Sequence, residues 1–391
     1  MSAPYAVPAA GPRTAGAGEP PGAVDGPARA LLARLDGLRG RVSALVERRA
    51  AGDPTADDPL RGLYLSEEAV GHLLDTWPAL TGDGTGSRPT GTGRAVDEEL
   101  APGPDDRLGR LAGRAGLTAL DVAVLLVALA PDVDRTFEPL YGYLNDDVSR
   151  RRATVGLALD LCGVPAQSAA ARARLHVRAP LAALGLLEVD EPERPFLTRS
   201  LRVPDRLVGH LLGDDTPDAA LLALLRPMPE PLPSDAAGER FTHRLAALVA
   251  SGPATVYLRE QREGDGLAVY AGALRAAGLD GMCCDPREED VAGLLREARL
   301  SGRAVVVPVL PEKPGPLLRA LAAAPDVTVL LADPRPYDPY WCPEDPLVLD
   351  APGRRDGGTA AWRAVLGADA DGFDLAATVA PYRLGADRVR R

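Results

Sequence analysis

From residue 254 onward, short apolar runs and longer amphipathic runs take turns along the chain, and this alternation restricts the fold more than any other feature of the sequence. Residues 254–258, 281–284, 303–309, 327–331 and 347–349 read as strands, and 267–277, 288–300 and 315–323 read as helices. Strand and helix in regular alternation build right-handed β-α-β crossovers, which require a parallel sheet covered on both faces. The fold class expected here is therefore α/β, preceded by a mainly helical N-terminal half.

In such a sheet a ligand sits beyond the carboxyl ends of the strands, and the first strand-to-helix turn is the usual phosphate cradle. That turn reads Arg259-Glu-Gln-Arg-Glu-Gly-Asp-Gly-Leu267. A working phosphate loop needs glycines that let backbone N–H groups wrap the phosphates, a lysine for the terminal phosphates and a Ser/Thr hydroxyl for magnesium. Arg262, Gly264 and Gly266 are what remains of such a loop, with no lysine or hydroxyl after them. Glu260, Glu263 and Asp265 would place negative charge beside a phosphate. An ordinary surface turn is the competing reading. The third strand should end in acids that hold magnesium, yet it reads Val305-Val-Val-Pro-Val-Leu-Pro-Glu312, with Glu312 too far along. Asp333 after the fourth strand is either a polar sensor or, as Asp-Pro, the start of a turn. No catalytic or metal-binding residue is assigned, no cofactor is expected, and the chain alone is expected not to hydrolyse ATP.

Upstream, residues 1–27 are Ala, Pro and Gly with almost no large apolar side chain and are expected to form a disordered tail. Residues 28–104 are expected to be a helical region with a linker. Leu31, Leu35, Leu38, Val42 and Leu45 make one narrow apolar seam, either a short coiled coil or a helix docked on its own chain. A second helix is expected from Ser66 to about Asp75, and the Gly/Thr-dense tract 81–93 reads as a loop. Residues 105–213 carry helical spacing at 108–115, 119–130, 137–145, 154–161 and 172–184. Two short strands around the charged turn Glu191-Pro-Glu-Arg-Pro195 then suggest a wing. The proline-rich stretch 214–238 is expected to be an extended linker, and 239–391 the α/β module.

Composition narrows the function. A net charge of −11 opposes a general nucleic-acid or anionic-membrane binder. Between Arg107 and His210 there are 14 arginines against 12 acids, little for a domain that must neutralise several phosphates; Arg150 to Arg152 is the best cluster. Lys313 is the single lysine, a skew that reflects base composition more than function. Cys162, Cys283, Cys284 and Cys342 form no disulfide framework and no zinc spacing, and His72, His176, His210 and His243 show no metal spacing either. The longest apolar stretch, 119–130, is interrupted by Asp121 and falls short of a membrane span, and the first residues lack a signal-peptide pattern. A cytoplasmic protein is expected.

Four segments carry a resemblance: Asp58-Pro-Leu-Arg-Gly-Leu-Tyr-Leu65, Leu117-Thr-Ala-Leu-Asp-Val-Ala-Val-Leu-Leu126, Leu140-Tyr-Gly-Tyr-Leu-Asn-Asp-Asp-Val148 and Arg150-Arg-Arg-Ala-Thr-Val-Gly-Leu-Ala158. They resemble the front half of a bacterial AAA+ ATPase family found with extracellular contractile injection systems. The resemblance implies a helical N-terminal region, a winged-helix domain, a first and often degenerate AAA+ module, and then a second, catalytic module that uses ATP and magnesium. Residues 239–391 look like the degenerate module, with 373–391 similar to the start of a truncated helical lid. The second module is expected on a longer or separate polypeptide. The implied role is a non-catalytic assembly or adaptor part, with other AAA+ subunits, a downstream catalytic module or injection-system components as partners. A winged-helix DNA-binding regulator and an ATPase with an unconventional nucleotide site are the alternatives.

Overall fold

The computed structural model describes residues 26–52, 70–71, 106–231, 233–261, 264–352, 359–382 and 389. The expected tail up to residue 25, the loop 81–93 and most of the helix expected at 66–75 lie outside the described residues, although 26–27 and 70–71 are helical. The chain divides into two compact units, Val24–Thr216 and a second that contains Pro217–Arg391. Among the described residues no helix is long and apolar enough to cross a membrane.

The first unit begins with α1 (Gly26–Gly52), whose seam of Leu31, Leu35, Leu38, Val42 and Leu45 is entirely buried. The seam packs against its own unit, on helices α3 (Ala119–Val133), α5 (Val155–Leu161) and α8 (Asp205–Leu212), so the docked-helix alternative holds. Between them lie α2 (Arg107–Ala115), α4 (Phe137–Leu144), α6 (Ala169–Ala173) and α7 (Pro180–Ala183). Every residue from Asp121 to Ala130 is buried, because α3 runs through the middle of the unit and has no solvent face there.

The helix expected over 172–184 is broken into α6 and α7. Ala179 precedes Pro180 and takes extended geometry (φ −75°, ψ 154°), the conformation that a following proline imposes, and Pro180 then opens α7 at its first position. Strands β1 (Glu188–Val189) and β2 (Leu201–Arg202) pair antiparallel, and Thr154 bridges Ser200 to add a third short segment. The charged turn joins β1 and β2 as a wing. Phe196–Thr198, expected within the second strand, forms a tight 3-10 turn instead.

The second unit holds α9 (Ala219–Leu222), β3 (Leu225–Arg226), α10 (Ala236–Ala250), β4 (Thr255–Arg259), α11 (Asp265–Ala277), β5 (Gly281–Cys284), α12 (Val291–Ser301), β6 (Ala304–Val307), α13 (Gly315–Ala322), β7 (Val329–Asp333), β8 (Leu347–Asp350), α14 (Thr359–Leu366) and α15 (Leu375–Val379). Its six-stranded sheet runs β3-β5-β6-β7-β4-β8, parallel except for β3. Residues 214–238, expected as linker, thus contribute α9, the antiparallel edge strand β3 and the start of α10. Side chains alternate between two apolar layers. Val256, Leu258, Val306 and Leu330 face α10 and α11, while Tyr257, Val305, Val307 and Leu331 face α12 and α13. Cys283 and Cys284 are both buried, and burial drives the Cys284 thiol far above its ordinary range.

Candidate functional site

Helix α11 follows β4 on one face of the sheet, and the chain leaving β7 returns to β8 over the other face, where Tyr337 and Trp341 pack. β4 lies between β7 and β8, so the connections diverge at the carboxyl ends of β4 and β7. Divergence of this kind opens the crevice where ligands bind in parallel sheets. The residues it collects are Glu260, Gly264, Gly266, Asp333, Arg335 and Tyr257.

Glu260 leaves β4 and turns back under the head of α11. The Gly264 N–H donates to both of its carboxylate oxygens at 3.2 Å, and the Gly266 N–H donates to Oε2 at 2.7 Å. Its own N–H donates to the Asp333 carbonyl at 3.1 Å, which ties β4 to β7. Glu260 is 2% exposed. Burial pushes its carboxyl up to about 7; the two glycine amides pull it back in part, and Asp265 and Asp333 add to the rise. Gly264 sits in the left-handed region (φ 92°), which brings both N–H groups to one point. A Cβ on Gly266 would lie 2.6 Å from the Ala332 Cβ, so only glycine lets α11 approach β7 this closely.

Of the phosphate-loop remnant, Gly264 and Gly266 therefore meet at one acceptor, while Arg262 and Glu263 lie outside the described residues. In the turn expected as a degenerate phosphate loop or an ordinary surface turn, the part-buried Gly264 N–H and the buried Gly266 N–H both donate to the Glu260 carboxylate. Glu260, expected as a repelling charge near a phosphate, is itself the acceptor of these N–H groups. The loop signal was visible as Glu260 with Gly four and six residues later, yet spacing alone does not say that the side chain folds back.

Asp333 ends β7 and is also buried. Burial opposes its ionisation, but Arg335 and two backbone N–H groups outweigh this and hold the carboxyl below the ordinary carboxylate range. Arg335 donates from Nε to Oδ1 and from Nη2 to Oδ2, both at 2.8 Å, and its backbone N–H donates to Oδ1 at 2.8 Å. The Leu310 N–H donates to Oδ2 at 3.3 Å. The same guanidinium donates to the carbonyls of Leu310, Pro311 and Glu312. Both readings of Asp333 are thus combined: it starts a turn, and it is a polar group at the crevice, but one neutralised by its own turn. Glu312 is exposed and meets Arg335 through its carbonyl.

ATP and magnesium, the groups implied for the family, do not fit these residues. Gly266 is followed by Leu267 and Ala268, which supply neither ammonium nor hydroxyl. The strand β6 gives way to Pro308 with no acid, and among the described residues no cluster of His, Cys, Asp or Glu could hold a metal ion.

In the helical unit several arginines, the Arg150 to Arg152 cluster among them, are engaged within the protein. Arg150 pairs with Asp147 and donates to the Thr198 carbonyl, Arg151 pairs with Glu138, and Arg152 grips Asp132 with both Nη atoms at 3.0 and 2.9 Å. Arg172 lies 4.5 Å from the Phe196 ring centroid, Arg174 is held by Asp121, and Arg202 by Glu188 and Asp190. The helix that would enter a major groove is split at Ala179-Pro180 into two short pieces. Duplex DNA of mixed sequence is expected to give no saturable mobility shift at about 0.1 M salt, where non-specific binders still retard. A shift that weakens steeply with salt would revive the DNA reading.

His210 is buried beside Arg107, whose Nη1 lies 3.1 Å from Nδ1, and burial followed by that positive charge brings the imidazole down to about 4. It is a neutral packing residue. Of the other histidines, His176 and His243 are exposed, and His72 lies outside the described residues. No curated protein sequence matches the chain. A family model described as "Winged helix domain, variant" matches residues 98–225, which cover α2 through α9 and include the wing between β1 and β2. The chain carries a winged-helix domain, followed by a unit built on a mainly parallel α/β sheet.

Proposed function

We propose that this chain is a non-hydrolysing assembly or adaptor part of an AAA+ ATPase machine, with the winged-helix domain joined to a degenerate AAA+-like module. The observation that supports this reading is the crevice between β4 and β7 of a mainly parallel sheet, where the sequence lacks the lysine, hydroxyl and acid a phosphate site needs. Leu267 and Ala268 stand where lysine and a hydroxyl are needed, and Pro308 where an acid is needed. Of the crevice acids, Asp333 is bound by Arg335 and Glu260 by the Gly264 and Gly266 amides. A scaffold without its chemistry still presents helices and sheet edges to neighbouring subunits. The wording of residues 140–158 supports contractile injection systems as the setting, and a separate catalytic module as the partner.

The test is calorimetry of the purified full chain with Mg-ATP and Mg-ADP, with phosphate release measured in parallel. The expected result is heat of dilution alone up to about 1 mM nucleotide, a bound corresponding to less than about 4 kcal/mol of binding. Micromolar binding with turnover would overturn the reading in favour of an unconventional ATPase.

A further inference from the structure

The head of α11 presents two convergent backbone N–H groups, an arrangement suited to an anion, and the anion that fills it comes from the chain itself. Glu260 is tethered four residues before one donor and six before the other, and it is buried to 2% exposure. The fit is tight on every side. The Ala332 methyl and Glu260 Oε2 lie 2.6 and 3.0 Å from where a Gly266 Cβ would stand. Tyr270 anchors the first turns of α11 to the sheet by donating to the Leu331 carbonyl at 2.7 Å.

Resting on the degenerate-module reading above, we infer that Glu260 is a built-in stand-in for a phosphate: its carboxylate closes the cradle from inside and holds β4, α11 and β7 together, and its removal uncovers a site for a small oxyanion. A phosphate and a carboxylate ask the same thing of two N–H groups at a helix start, namely converging donors and the positive end of the helix dipole. The tethered group wins against a free one because it is always at hand. Among the described residues the charged and titratable groups around it are Asp265 at the start of α11, Asp333 with Arg335 at the end of β7, Tyr257 on β4 and Tyr270 on α11. The two carboxylates disfavour a second negative charge, which further excludes solution phosphate while Glu260 is in place.

The experiment uses the full chain as wild type, Glu260→Ala and Glu260→Gln. Each is titrated with inorganic phosphate, and separately with formate, at constant ionic strength, with thermal stability as readout. Glu260→Ala empties the cradle, and its melting temperature is expected to rise saturably with either anion, with an apparent affinity at least about tenfold above that of wild type. Wild type and Glu260→Gln, whose amide oxygen still fills the cradle, are expected to show no saturable rise. A wild-type response equal to that of Glu260→Ala, or none from a folded Glu260→Ala protein, overturns the inference.

Should Glu260→Ala not fold, glycine-labelled wild type decides by nuclear magnetic resonance. The Gly264 and Gly266 amide signals are expected to move together through one titration near neutral pH that Glu260→Gln abolishes. Independent or absent movement overturns the inference. Wild-type binding and turnover of Mg-ATP would instead sink the degenerate-module reading, so the two failures are distinguishable.

Discussion

Replacing Asp121 with alanine is expected to destabilise the helical unit by about 3–5 kcal/mol, the range for a buried ion pair that loses one partner. Asp121 is fully buried in the first turn of α3 and its carboxylate is saturated. It accepts from the Thr118 N–H at 2.8 Å, the Thr118 hydroxyl at 2.7 Å and Arg174 Nε at 2.8 Å, with a further bond from Arg174 Nη2. The Thr118 side chain accepts in return from the Asp121 N–H, completing a capping box on the central helix of the unit. Alanine would leave the part-buried Arg174 guanidinium without its anion, while the exposed Thr118 donors turn to water. Hydrogen exchange of α3 peptides in the full chain reads the loss directly, as opening faster by about 10² to 10⁴-fold.

The same residue sets an acid limit. Burial works against its ionisation, but the bonds from Arg174 and Thr118 prevail, so the folded carboxyl titrates below its ordinary value. A depressed carboxyl contributes stability that is present above the unfolded-state value, near pH 4, and is lost as pH falls through the lower folded value. Part of the acid sensitivity of α3 should therefore vanish in Asp121→Ala. The double variant Asp121→Leu, Arg174→Met should recover much of the lost stability, because removing both partners leaves no orphaned charge. Equal instability of the single and double variants would show that packing, not the ion pair, sets the cost.

Asp121 also illustrates what a sequence can and cannot disclose. As a charge inside an apolar run it signalled that the run does not cross a membrane. Its neighbour Thr118, three residues earlier, was a cap in plain view, but Arg174 lies 53 residues on and no local pattern links them. The parallel sheet was legible because period-two and period-3.6 hydrophobicity are local properties: β4, β5, β6, β7 and β8 fall within or beside the expected ranges. Strand β3 was not, since a two-residue strand before a proline run has no periodicity to detect, and only its pairing with Cys283 and Cys284 defines it. The split between α6 and α7 was announced by Ala179-Pro180 yet outweighed by the helical spacing around it. In the crevice the missing lysine, hydroxyl and acid were readable one position at a time. What the loop does with its own Glu260 was not, because that depends on a reversal of chain direction at Gly264.

Replacing Asp333 with alanine is expected to destabilise the α/β unit by about 2–3 kcal/mol, less than the Asp121 change although both carboxylates are buried. The difference lies in the partners. Arg335 has a side chain 37% exposed, so when its anion is removed water can take over part of the solvation, whereas the Leu310 N–H is buried and loses its acceptor outright. Arg335 also keeps its bonds to the carbonyls of Leu310, Pro311 and Glu312, which hold the guanidinium near the end of β6. Asp333→Asn should recover about half of the loss, since an amide oxygen can still accept from the Leu310 or Arg335 N–H. Denaturant unfolding of the three proteins, followed by exchange of peptides from β6 and β7, checks the order wild type, Asn, Ala. A loss of the size expected here shows that Asp333 holds the ends of β6 and β7 together through the Leu310 N–H and Arg335.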